Sequence, residues 1–117
     1  MSFFSRVSAL GLAALLSLTA VAAAQNYPNR PIRLVVTFPP GGSTDLLARA
    51  MQPYLEKALG QPIVVENRPG AGGDIGVDVV AKAAPDGHTI GIGAAGALSV
   101  NVSLKDKMPY DVQKDLE

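Results

Sequence analysis

An α/β fold with parallel strands alternating with helices is predicted from three observations. Three β-type runs, Ile32–Val36, Ile63–Val65 and Thr89–Gly93, are spaced along the chain, and each ends in a corner of small residues. The first two corners open into runs with helical apolar spacing. Strand, helix and strand in that order imply right-handed crossovers, so all three corners leave the carboxyl ends of strands and share one sheet edge. In open α/β sheets that edge is where ligands bind.

Residues 1–24 stand apart from this pattern. Arg6 is the only charge before an apolar run from Val7 to Leu18, which ends in Ala20-Val21-Ala22-Ala23-Ala24. This is the layout of a secretory signal with cleavage before Gln25. A membrane anchor is the competing reading, but a span needs about 20 apolar residues, and this run is interrupted by Ser8, Ser17 and Thr19. With no Cys at the cleavage site, lipid attachment is excluded. The expected location of the exported chain is the periplasm.

In the remaining chain, Pro31 cannot donate to a sheet ladder, so the first strand starts at Ile32. It ends in Thr37-Phe38-Pro39-Pro40-Gly41-Gly42-Ser43-Thr44-Asp45. Two prolines stop the strand, the glycines are expected to turn backbone N–H groups toward a ligand, and Ser43, Thr44 and Asp45 have cap and first-turn chemistry. The exposed N–H groups and positive dipole end of a helix start attract a carboxylate or phosphate without a cationic side chain. A side chain at Gly42 is expected to close this corner sterically or to require a forbidden φ.

The first helix runs from Leu46 to Leu59. Its expected packing face is Leu46, Leu47, Ala50, Met51, Tyr54, Leu55, Ala58 and Leu59, with Arg49, Gln52, Glu56 and Lys57 opposite. Pro53 should bend it and Gly60 should stop it. Ile63-Val64-Val65 reads as a strand covered on both faces. Asn67 to Gly73 forms a flexible loop, and Asp74 to Ala83 forms a helix with Ile75, Gly76, Val79, Val80 and Ala83 on its stripe. Pro85-Asp86-Gly87 makes a turn. The third strand ends in Ala94-Ala95-Gly96-Ala97, followed by the short apolar segment Leu98 to Leu104.

Composition removes several function classes. The 117 residues carry ten Lys plus Arg against ten Asp plus Glu, which gives no basic surface for nucleic acid. One His and no Cys leave no metal site or thiol chemistry to propose, and no cofactor motif is complete. Gly70-Ala71-Gly72-Gly73-Asp74-Ile75-Gly76 approaches a dinucleotide fingerprint, but its last glycine comes one place late. The next strand also ends without the acidic residue that holds a ribose. A Ser43 nucleophile would need a base, and His88 falls at the amino end of its strand.

Six segments carry a resemblance. They are Tyr27 to Arg33, Phe38 to Asp45, Leu59-Gly60-Gln61-Pro62, Val65 to Gly73, Ala81 to Gly87 and Pro109-Tyr110-Asp111, in that order. Together they resemble the Bug (TctC-like) family, the extracytoplasmic solute receptors of tripartite tricarboxylate transporters. The resemblance implies a type II periplasmic-binding-protein-like fold, in which residues 25–117 are the N-terminal part of the first domain and the second domain is absent. It implies capture of a small carboxylate, delivery to the membrane subunits of the transporter, and no enzymatic activity. The alternative from another class is a periplasmic hydrolase using Ser43.

By position, the resemblance places ligand contacts at Phe38, Pro39, Gly41, Gly42, Ser43, Thr44 and Asp45, at Gly72 and Gly73, and at Ala94, Ala95 and Gly96. Ala95 and Ala97 stand where many members have hydroxyls, so ligand contact there shifts to backbone and water. Asp45 would repel a carboxylate ligand if it faced one. Its expected role is a cap, with recognition of a ligand amine as the second reading.

Overall fold

The computed structural model describes residues 27–116, so the predicted signal segment, residues 1–24, lies outside them. In chain order the elements are β1 (Ile32–Val36), α1 (Ser43–Leu59), β2 (Ile63–Asn67), a tight 3-10 turn (Ala71–Gly73), α2 (Asp74–Ala81) and β3 (Thr89–Ile92). A π-helical turn, Gly96–Val100, then runs into α3 (Asn101–Leu104), and a single turn, α4 (Val112–Asp115), closes the described chain. The sheet order is β2-β1-β3 with both pairings parallel, as the alternation of elements predicts.

β1 is central because four of its five residues are apolar, with Arg33 the exception. Ile32, Leu34, Val35 and Val36 are all fully buried, and each such side chain stabilises by about 1.5–3 kcal/mol. Ile32, Leu34 and Val36 meet Ala48 of α1 and Ile63 of β2, backed by Leu55, Leu59, Val65, Ile90 and Ile92. A second cluster joins Val77 of α2 to Ala97 and Tyr110, with Ala81, Met108, Val112 and Leu116 against it. The chain start is fastened at the amino edge, where the Tyr27 hydroxyl donates to Gly87 O at 2.7 Å and Arg30 pairs with Asp86 at 2.6 Å.

α1 is rotated from its expected setting. Leu46, Leu47, Met51 and Tyr54 are 60%, 54%, 39% and 76% exposed, while Ala48 and part of the polar face turn inward. Hydrogen bonds explain the rotation. Gln52 Nε2 donates to Ile63 O at 2.8 Å, and Glu56 Oε1 accepts from Ile63 N at 3.0 Å, so the helix satisfies the backbone where β2 begins. Ala48, small and fully buried, lets the helix approach β1. The helix continues through Pro53 and stops at Gly60, whose φ of 69° is left-handed and whose N–H caps Glu56 O at 2.9 Å.

Two smaller corrections follow the same logic. α2 ends at Ala81 and buries Asp74, Gly76 and Val77, leaving Ile75 exposed. Gly76 is required there, since a Cβ would lie 2.7 Å from Thr37 Cγ2 and 2.8 Å from Arg68 O. Val64 is exposed, so β2 is not covered on that face among the described residues.

Candidate functional site

The parallel register sets Val36 opposite both Asn67 and Ile92, so the corners after β1, β2 and β3 leave the sheet at one level. They also touch. A Cβ on Gly73 would lie 3.3 Å from Ala97 Cβ and 3.4 Å from Thr37 Oγ1, and one on Gly96 would lie 3.9 Å from Gly72 O. The predicted segments Phe38–Asp45, Gly72–Gly73 and Ala94–Gly96 therefore line one edge. Ala94 O accepts from Leu98 N at 3.4 Å, and Ala95 is exposed.

In the first corner the donors differ from those expected. Gly41 N–H donates to Asp45 Oδ2 at 2.9 Å and Gly42 N–H to Pro39 O at 3.4 Å, so the two glycine N–H groups point into the turn. The N–H groups of Ser43, Thr44 and Asp45 take no acceptor among the described residues, and Leu46 N is the first to reach one, Gly42 O at 2.9 Å. Three helix-start donors are thus open, as a helix N-terminus requires. The N-cap is Gly42 itself, with no side-chain cap from Ser43 or Thr44. Its φ of −76° is ordinary, and a Cβ there would meet only Pro39 O at 3.4 Å. The constraint expected at Gly42 falls instead on Gly41, where φ is 83°.

Asp45 is buried, and both its oxygens are taken. Arg49 Nε lies 3.1 and 3.0 Å from them, Gly41 N donates to Oδ2, and Asn67 Nδ2 donates to Oδ1 at 2.9 Å. Arg49 first, then Gly41 N–H and the Asn67 amide, hold its pKa at about 2. The carboxylate secures the turn just before the helix and has no oxygen left for a ligand amine.

The second corner depends on backbone conformation. Gly70, Ala71, Gly72 and Gly73 have φ of 132°, 50°, 71° and 104°, four consecutive left-handed residues. Asp74 then opens α2 and receives Asn101 Nδ2 at 2.8 Å and the Tyr110 hydroxyl at 3.1 Å on Oδ1, with Lys105 on Oδ2. Burial opposes ionisation of Asp74, but Lys105, Asn101 and Tyr110 outweigh it and keep its pKa below the ordinary value. Burial and then Asp74 push the Tyr110 hydroxyl up to about 12. Tyr110 also reaches Ala97 O at 2.8 Å, so the third corner is fastened to the second.

Sequence reasoning missed Arg49, Asn67, Asn101 and Tyr110 as organisers of this edge. Only Arg49 left a readable signal, its i,i+4 spacing from Asp45. Ser43 sits at the carboxyl edge, whereas His88, the only histidine, is buried at the amino edge beside Asp86 and accepts from Arg33 N through its carbonyl. No imidazole is near Ser43.

A parallel α/β sheet with three corners meeting at its carboxyl edge has the layout in which open α/β folds bind small ligands. Residues 47–117 match the family of tripartite tricarboxylate transporter receptors (TctC), and the chain belongs to it. The protein BugT of Bordetella pertussis is 50% identical over 100 residues, which cover 85% of this chain and 31% of BugT. The structure of the periplasmic binding protein BugD is 43% identical with a TM-score of 0.71, covering 76% of this chain and 29% of BugD. MatC from Rhodopseudomonas palustris with bound malate is 45% identical with a TM-score of 0.70, covering 76% of this chain and 30% of MatC. The chain therefore spans about a third of the length of the curated relatives it matches.

Proposed function

We propose that the chain is the first-domain part of a periplasmic receptor that captures a small carboxylate and delivers it to the membrane subunits of a tripartite tricarboxylate-type transporter. One observation carries the reading. Ser43, Thr44 and Asp45 present unpaired N–H groups at the start of a long helix, on the edge where all three corners meet. A carboxylate accepts hydrogen bonds from such groups and is favoured by the helix dipole. Family membership and the malate held by the similar MatC support the ligand class. The periplasmic description of BugD supports the location, with residues 1–24 as the export signal and Gln25 as the first mature residue.

In this reading Gly72 and Gly73 face the ligand from the second corner and Ala94, Ala95 and Gly96 from the third, through backbone and water. Residues 25–117 then form one wall of a two-domain cleft, and closure by the other domain supplies the remaining donors and excludes water. No nucleic acid, metal or cofactor enters this reading. Hydrolysis by Ser43 has no geometric support.

Amide shift titration of the purified protein with malate and with other mono-, di- and tricarboxylates tests the proposal. Shifts should concentrate at Ser43, Thr44 and Asp45, with a Kd weaker than about 1 mM for this one wall, against a closed-cleft receptor that gains several kcal/mol from the second. Shifts confined to other surfaces would remove the corner from the site. Micromolar binding by residues 25–117 would show that the first wall suffices.

A further inference from the structure

We infer that Asn67 and Arg49 are positioning residues for anion capture: acting through Asp45, they hold the Phe38–Gly42 corner in the shape that leaves the N–H groups of Ser43, Thr44 and Asp45 open. The inference rests on the carboxylate reading above. Asn67 is the last residue of β2, and the ladder continues past it through Arg68 N to Val36 O at 2.8 Å, which fixes its side chain beside the corner. Its amide is fully used. Nδ2 donates to Phe38 O at 3.1 Å and to Asp45 Oδ1 at 2.9 Å, and Oδ1 accepts from Arg49 Nη2 at 3.3 Å.

The consequences are electrostatic and steric. A first-turn carboxylate commonly turns back onto the N–H groups of its own turn. Here the donors of Asn67, Arg49 and Gly41 draw it to the other side, toward the turn residues. The Arg49 charge also cancels that of Asp45 within one helical turn, so an incoming anion meets the helix dipole and not a fixed negative charge. Without Asn67, Phe38 O would lose its side-chain partner and Asp45 one of its three, and the carboxylate would be free to occupy the donors a ligand needs.

Two readouts test this on the purified protein: the hydrogen-exchange protection of Gly41 N–H without ligand, and malate affinity from the Ser43–Asp45 amide shifts. Asn67→Ala and Arg49→Ala should each lower Gly41 protection and malate affinity about tenfold, the equivalent of one charge-assisted hydrogen bond, while β1 amides stay protected. Asn67→Asp separates positioning from packing. It is nearly isosteric, so a packing role makes it the mildest change. Positioning makes it the most damaging, because it sets an acceptor against Phe38 O and Asp45, and Gly41 protection should recover in part once the new carboxyl is protonated and can donate one of the two lost bonds. Unchanged Gly41 protection in both alanine variants would overturn the inference and leave the carboxylate reading standing. Lost protection with parental malate affinity would also overturn it. No malate response in the unsubstituted protein would overturn both.

Discussion

Asp45 and Asp74 occupy matching places, each in the first turn of the helix that follows a strand, each buried, and each tying its corner to the next one along the chain. They are held in different ways. The cation for Asp45 is four residues away on its own helix, and its corner has one left-handed residue, Gly41. Asp74 draws its partners from 27, 31 and 36 residues downstream, and the corner before it has four left-handed residues in succession. The first corner is an ordinary backbone shaped by side chains, whereas the second is an unusual backbone locked by a distant segment. The first should therefore tolerate added side-chain atoms better than the second, while both depend on the partners of their carboxylates.

The largest expected contrast is steric. Gly76→Val, in α2 where the helix packs on the second corner, should destabilise by more than about 3 kcal/mol in chemical denaturation, because its Cβ meets backbone, Arg68 O at 2.8 Å and Thr37 Cα at 2.9 Å, which cannot swing aside. Gly42→Val, in the first corner, should cost less than about 1 kcal/mol. Equal losses would erase the distinction.

Tyr110→Phe comes next. It removes the hydroxyl shared between Ala97 O and Asp74, for an expected loss of about 1–2 kcal/mol. Faster amide exchange in the Gly70–Asp74 turn, with exchange at Gly41 unchanged, would show that the lock acts on the second corner alone.

The smallest effect is a slope. Asp45 falls from 3.8 in the unfolded chain to about 2 when folded, so its stabilisation is complete above the unfolded value and is lost as pH falls through the folded one. Stability should decline from about pH 4 toward pH 2. Glu66, lowered to about 2 chiefly by its hydrogen bond from Arg33, contributes in the same window. Asp45→Asn should flatten that decline relative to the parent, and an identical acid limb in the two proteins would remove Asp45 from the account.

What was legible in the sequence follows the same division. Pro31, Pro39 and Gly60 mark local limits, so β1 and the end of α1 fall where expected, and alternation alone placed the three corners on one edge. The rotation of α1 was not legible, because an apolar stripe gives no sign that Gln52 and Glu56 will bond the backbone of Ile63. The identity of the open donors was also hidden. It depends on Asp45 reaching back to Gly41 and on Asn67 arriving from the neighbouring strand. The partners of Asp74 come from a segment whose fold the pattern left almost unspecified.

The rotation of α1 has a calorimetric consequence. Heat-capacity change on unfolding comes mainly from apolar surface newly exposed to water. Leu46, Leu47, Met51 and Tyr54 already meet solvent across much of their surface in the fold, so much of their hydration is common to both states and drops out of the difference. The described residues should therefore unfold with a smaller increment than their count of large apolar side chains suggests, and with a flatter dependence of stability on temperature.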